Sequence, residues 1–257
     1  MVRLSLALVL LITAACSAGL PPPAERDDAG DDADGPAQGR LTARPARPDE
    51  EGLGPGLHAL DVFGQTAHIY VPSGYTPRRA WPLVLSLHGA GGTSENGIGP
   101  FLNAGPPPAI LVAPSAVGRS WDLIEGGFGE DVAYIDRLLE WTFRRYRVDP
   151  ERIGILGFSD GASYALSLGL TNGDLFRKIV ALSPGYMAPV ATRGKPEVFI
   201  AHGRLDRVLP FERTGQRVAR LLDEAGYDVT FRPHPKGHNP RPLARNALGW
   251  FLGEGKA

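Results

Sequence analysis

Between residues 58 and 252 the chain alternates short apolar runs with segments whose apolar residues recur at helical spacing, and this alternation constrains the fold most strongly. Parallel strands need long crossovers, which helices usually provide, so repeated strand–helix order predicts a parallel sheet covered by helices. Residues 82–87 and 110–113 are continuous apolar runs suited to strands buried on both faces. Residues 58–62 and 65–71 read as a hairpin turning near Gly64. Val132, Ile135, Leu139 and Phe143 mark one face of a helix. Arg144, Arg145 and Arg147 gather at its C-terminal end, where the helix dipole favours cations, and Asp149-Pro150 stops it. Strands are further expected at 152–158, 178–182, 198–201 and 228–232, with helices at 162–170, 211–225 and 241–252. The expected class is α/β, with a mostly parallel, doubly wound sheet flanked by helices.

Composition excludes several other classes. Lys plus Arg number 27 against 28 Asp plus Glu, so the clustered basic face that nucleic-acid binding needs is missing. The single Cys supports neither a disulfide framework nor a zinc cluster. His234-x-x-x-His238 has metal-like spacing but lies on a proline-broken segment that cannot be helical, so no metal site is read there. All 21 aromatic residues fall between Phe63 and Phe251, which places a single folded domain at residues 57–257.

The start of the chain is of a different kind. Residues 4–15 are apolar or small apart from Ser5 and Thr13, and follow Arg3. So short a run suits the h-region of a signal peptide, spanning residues 1–16, better than a bilayer-spanning helix. Its end, Ile12-Thr13-Ala14-Ala15-Cys16, resembles the lipobox of bacterial lipoproteins, in which the Cys is lipidated, although Thr13 stands where that motif usually has Leu. The resemblance implies an exported, cell-envelope lipoprotein touching the membrane only through Cys16; a plain secretory signal, giving a secreted or periplasmic protein, is the alternative. Residues 17–56 hold seven Pro, seven Gly and an acidic cluster from Glu25 to Asp34, with no aromatic anchor. Such a segment is expected to be a disordered linker.

The chemistry centres on Gly157-Phe158-Ser159-Asp160-Gly161, a G-x-S-x-G string. In a nucleophile elbow the glycines let a strand turn sharply into a helix and lift the serine hydroxyl above the sheet edge. The string follows the apolar run 153–156 and precedes Ala162-Ser163, the strand–turn–helix setting that the motif requires. A serine hydroxyl needs a general base oriented by a carboxylate. Asp206 lies on the loop after strand 198–201, and His238 lies beyond Gly237 just before the last helix, so these are the expected acid and base. His234, flanked by prolines, is the alternative base. For the oxyanion, one backbone donor is the N–H of Asp160 and the other comes from the glycine-rich loop His88-Gly89-Ala90-Gly91-Gly92, with Ala90 preferred and Gly91 next. His88 and His202 read as structural. Trp121, Tyr186, Met187 and Leu209 are candidate pocket residues.

These strings, with His202-Gly203-Arg204-Leu205-Asp206 and Gly237-His238, resemble the α/β-hydrolase superfamily. The likeness is to its phospholipase/carboxylesterase branch, which includes acyl-protein-thioesterase-like and polyhydroxybutyrate-depolymerase or feruloyl-esterase-like enzymes, and it runs from about Leu57 to Leu252. It implies an α/β-hydrolase fold and a cofactor-free serine hydrolase that acts on small-molecule carboxylic esters, with Ser159 acylated, His238 moving the proton and Asp206 orienting His238. The branch often has Gln after the serine, where this chain has Asp160. Only 47 residues separate Ser159 from Asp206 and 32 separate Asp206 from His238, leaving no room for a large cap domain. The open site that follows favours small or medium acyl esters. A peptidase or thioesterase on the same scaffold, or an inactive binding module, is the other reading.

Overall fold

The computed structural model describes residues 21, 35–239 and 243–254. The expected signal peptide with Cys16, and most of the linker's first half, lie outside the described residues. Eight strands are described: β1 (Gly56–Val62), β2 (Gln65–Val71), β3 (Trp81–Leu87), β4 (Ile110–Pro114), β5 (Val148–Phe158), β6 (Lys178–Leu182), β7 (Glu197–Gly203) and β8 (Val229–His234). The helices are α1 (Ser94–Asn103), α2 (Asp122–Glu125), α3 (Glu130–Arg145), α4 (Asp160–Thr171), α5 (Gly215–Glu224) and α6 (Ala244–Leu252).

The strands form one sheet in the order β1-β2-β4-β3-β5-β6-β7-β8. β2 is antiparallel to β1 and β4, and every later pairing is parallel. Alternation along the strands feeds two cores. Leu83, Leu85, Ile153 and Ile155 point into one, with Val132, Ile135 and Leu139 of α3, Leu166 and Leu170 of α4, and Leu222 of α5. Val84 and Leu156 point into the other, with Ile98 and Phe101 of α1 and Leu248 and Phe251 of α6. Helices thus cover both faces, as the alternating pattern requires.

Several boundaries differ from expectation for physical reasons. β5 begins at Val148 because Trp81 pairs with Val148 before a register irregularity, which takes up Asp149-Pro150, and pairing resumes at Leu83 with Ile153. The helix expected over 211–225 divides into a 3-10 turn at Phe211–Arg213 and α5, with Thr214 (φ −122°, ψ −99°) between them. α1 was not expected, since Gly97, Gly99 and Pro100 all lower helix propensity. It forms because Thr93 and Asn96 make a capping box and Ile98 and Phe101 are buried. At Gly97 a Cβ would lie 2.9 Å from the Ser86 carbonyl oxygen, so the glycine is what brings α1 against the sheet.

The linker expectation needs correction over residues 35–55, which pack on the domain as an ordered strap. Leu41 is fully buried. Its N–H donates to Asn172 Oδ1 (2.9 Å), and Asn172 Nδ2 donates to the Gly39 carbonyl (2.7 Å). Asp136 Oδ1 accepts the N–H groups of Thr42 and Ala43, both at 2.8 Å. Arg40 and Arg44 pair with Asp174. The Asp49 and Glu50 N–H groups donate to the Arg144 carbonyl. The strap has no aromatic anchor of its own, but side chains from the domain meet its polar backbone, and that meets the need for paired backbone groups.

Candidate active site

Ser159 sits between β5 and α4 with φ 56° and ψ −121°, a left-handed conformation rare for a residue with a side chain. The flanking glycines make this turn possible. A Cβ on Gly157 would lie 2.0 Å from the Gly161 carbonyl oxygen, and one on Gly161 would lie 2.3 Å from the His88 carbonyl oxygen. The Ser159 N–H donates to the Leu182 carbonyl (2.9 Å), and the Ser159 carbonyl accepts from Ala162 and Ser163, which locks the turn to β6 and to the first turn of α4.

The loop after β7 carries Asp206. Its Oδ1 accepts the N–H groups of Val208 (2.9 Å) and Leu209 (2.8 Å). Its Oδ2 lies 2.7 Å from His238 Nδ1, and His238 Nε2 lies 2.9 Å from Ser159 Oγ. The structure therefore brings Ser159, His238 and Asp206 into one hydrogen-bonded line. Glycine again allows the approach: a Cβ on Gly203 would lie 2.2 Å from the Lys236 carbonyl oxygen, in the loop that bears His238. His234 ends β8, and its two ring nitrogens are buried with no hydrogen-bond partner among the described residues.

Asp206 also meets His202. The fully buried His202 places Nε2 3.0 Å from the Leu209 carbonyl and 3.2 Å from Asp206 Oδ2. A carbonyl can only accept, so Nε2 carries the proton and points it between these two oxygens. Burial alone would raise the Asp206 carboxyl, but hydrogen bonds from His202, His238 and the Leu209 N–H outweigh it and hold the group well below the usual carboxylate range.

His88 has the structural place expected of it. Ala116 N–H donates to its Nε2 (3.0 Å), so the ring proton is on Nδ1 and goes to the Gly89 carbonyl (2.8 Å). Burial lowers its pKa, in keeping with a neutral ring. The loop it opens lies against the nucleophile, since a Cβ on Gly89 would be 3.3 Å from Ser159 Cβ. The Gly91 N–H donates to the Arg119 carbonyl (3.1 Å), whereas the Ala90 N–H makes no hydrogen bond among the described residues.

Among the candidate pocket residues, Trp121 is corrected to a support. It is fully buried, donates Nε1–H to the His88 carbonyl (2.9 Å) and stacks on Tyr164, so it holds the glycine-rich loop from beneath. Leu209 and Tyr186 are buried beside the acid and after β6, and a Cβ on Gly185 would touch Leu209 at 3.5 Å. Sequence reasoning missed Ser120, whose hydroxyl donates to Asp160 Oδ2 (2.8 Å), because nothing local marks that contact across 40 residues. A cleft of about 500 Å³ beside β8 and α6, lined by Arg232, His234 and Trp250 among others, includes none of Ser159, Asp206 or His238. Among the described residues no group of three or more His, Cys, Asp or Glu could hold a metal ion, and no helix is long and apolar enough to cross a membrane.

The Phospholipase/Carboxylesterase family profile matches residues 117–242, a span that holds Ser159, Asp206 and His238. The chain is 27% identical over 183 residues to a probable feruloyl esterase C of Aspergillus niger, covering 68% of this chain and 66% of that one. It is 31% identical over 156 residues to acyl-protein thioesterase 1 of Neurospora crassa, covering 57% of this chain and 62% of that one. Across the feruloyl esterase C relatives from A. niger, A. terreus and Emericella nidulans, the chain spans 58–66% of their length. A ferulic acid esterase structure from Anaeromyces mucronatus superposes with TM-score 0.60 at 15% identity, over 83% of this chain and 96% of that one, which is a likeness of fold. By its sheet and these matches the chain has the α/β-hydrolase fold, and its residues 117–242 are similar to the Phospholipase/Carboxylesterase family.

Proposed function

We propose that this chain is a serine hydrolase that cleaves carboxylic esters of small to medium acyl chains. The observation that carries the reading is the line from Ser159 Oγ through His238 to Asp206 Oδ2, with contacts of 2.9 and 2.7 Å. In that reading Ser159 Oγ attacks the ester carbonyl carbon while its proton passes to His238 Nε2. The Asp206 carboxylate, accepting from Nδ1–H, holds the ring orientation and stabilises the imidazolium. The N–H groups of Ala90 and Asp160 bind the oxyanion; Ala90 is favoured over Gly91 because the Gly91 N–H is already engaged. The carbon–oxygen bond to the alcohol breaks as Nε2–H protonates the leaving oxygen. Water then attacks the acyl-serine, giving a proton to His238, and the acid leaves as Ser159 regains its proton. No cofactor enters these steps.

The short β6–β7 connection and the exposed Leu205 and Val208 beside Asp206 support an open, partly apolar mouth suited to compact acyl groups. The likeness to acyl-protein thioesterase 1 favours a second reading, thioester cleavage by the same residues. Matched oxygen-ester, thioester and anilide substrates of the same acyl group separate the readings. We expect the oxygen ester to be turned over fastest and Ser159→Ala to lose at least about four orders of magnitude in kcat. Thioester preference would move the assignment to the second reading.

The reading of residues 1–16 as a signal with a lipidated Cys16 is likewise a proposal, resting on the sequence. On this view the full chain partitions with membranes in its host and the Cys16→Ala chain is released. Equal release of both would leave a plain secretory signal.

A further inference from the structure

We propose that the Asp160 carboxylate is the specificity-determining group of this site, selecting esters that carry an ammonium or hydroxyl donor near the carbonyl. The inference rests on the serine-hydrolase reading and extends it to the substrate.

Asp160 directly follows Ser159 and is 8% exposed. One oxygen, Oδ2, accepts the Ser120 hydroxyl at 2.8 Å; the other, Oδ1, takes no hydrogen bond among the described residues. No Lys or Arg among the described residues forms an ion pair with it. The titratable groups whose charges reach it come from three loops: His88 after β3, Tyr186 after β6 and His238 after β8. Neither histidine is a permanent cation, and His88 is held neutral by its hydrogen bonds.

Tyr186 supplies the second observation. It is 5% exposed, and its hydroxyl is buried with no hydrogen-bond partner among the described residues. Burial first, and the Asp160 charge second, raise its pKa, so it remains a neutral phenol. An accepting carboxylate oxygen that still touches solvent and a buried phenol without a partner among the described residues therefore stand within electrostatic reach of each other, the first of them next to the nucleophile. Buried polar groups left unpaired are costly, and groups of this kind concentrate where a ligand completes them.

The chemistry gives the unfilled position its sign. If the Asp160 N–H holds the oxyanion, the same residue sets a carboxylate near the negative charge that develops in the transition state. A plain alkyl ester leaves those like charges uncompensated in a partly dry site, and an anionic substituent adds a third. An ammonium or hydroxyl on the substrate offsets them and fills Oδ1. The raised pKa that burial gives Asp160 agrees with a site lacking its own counter-cation.

Phenyl esters of butanoic, 3-hydroxypropanoic and 3-aminopropanoic acid differ only in a terminal methyl, hydroxyl or ammonium group. On the full chain we expect kcat/KM to rise in that order, by at least about tenfold from first to last, the scale of one charge-assisted hydrogen bond. In Asp160→Asn the ratio should collapse to within about threefold, and Tyr186→Phe should reduce it in part. If Asp160→Asn proves unfolded, the parent chain still gives an answer. Its ammonium-to-methyl ratio should fall on acidification as Asp160 takes up a proton, because burial has raised that group towards the accessible range. A parent chain that prefers the methyl ester, or an Asp160→Asn variant that slows all three esters equally, overturns the proposal; the latter would assign the carboxylate to His238. Absence of both hydrolysis and fluorophosphonate labelling in the parent would instead sink the serine-hydrolase reading beneath it.

Discussion

Asp206 is shared by two histidines, and the two contacts have different consequences. His238 makes the contact on the line to Ser159, whereas His202 fixes the carboxylate from behind by donating to Leu209 and Asp206 together. Asp206→Asn should reduce kcat by about 10⁴ with KM little changed, since the amide leaves the imidazole without its anionic partner. His202→Phe removes one hydrogen bond to a charged group and should lower kcat by roughly ten- to a hundredfold at unchanged KM. A matching rise in KM would show instead that His202 shapes the pocket. The acid also tests linkage. Its folded-state pKa lies below the unfolded value of about 3.9, so its stabilisation is present above that pH and is lost as pH falls through the depressed value. The stability gap between the parent and Asp206→Asn should therefore shrink below about pH 4 in urea titrations. That Ser159, Asp206 and His238 come together was legible because the G-x-S-x-G string marks the serine and strand–loop order points to the other two. Ser120 and the orientation of His202 were not, because both depend on contacts between separate loops. Trp121 was misread because a large aromatic after a strand looks the same in sequence whether it lines a pocket or props a loop.

At the scale of elements, the elbow and the strap behave oppositely. Gly157 and Gly161 have backbone atoms within 2.0–2.3 Å of where a Cβ would stand, so alanine at either position must move β5, α4 or the His88 loop. The strap over residues 35–55 hangs instead on replaceable side chains. Asp136→Ala frees the Thr42 and Ala43 N–H groups and should cost about 1–3 kcal/mol, read by urea denaturation, with faster proteolytic nicking near residue 42. Unchanged proteolysis would mean that Asp174 and Asn172 hold the strap alone. β3, β4 and β6 were legible because their apolar runs are buried on both faces. The strap and α1 were not. The strap's partners lie more than 90 residues away, and α1 forms against its own propensities by burying Ile98 and Phe101.

For the whole molecule, parallel β5, β7 and β8 present their C-terminal ends at one edge, and there the loops carrying Ser159, Asp206 and His238 meet. Two acids with shifted pKa values, the buried Asp131 and the exposed Asp174, act in opposite senses on the pH response of the fold. Burial raises Asp131 to about 6 against the N–H groups of Val117 and Asp122, so this group favours the folded state more as pH falls from above 6 towards its unfolded value. Asp174, lowered to about 2 by Arg40 and Arg44 against the cost of burial, works in reverse and loses its contribution on further acidification. The melting temperature should thus pass through a maximum between about pH 4 and 6. A monotonic rise to pH 8 would deny Asp131 that influence.

The central claim, an activated Ser159, is tested most directly by the intact mass of the full chain after fluorophosphonate treatment, beside Ser159→Ala and His238→Ala. A single adduct on the parent, mapped to Ser159, none on Ser159→Ala and strongly slowed labelling of His238→Ala is the expected result. A well-folded parent that gains no mass, or that labels at another residue, would contradict it.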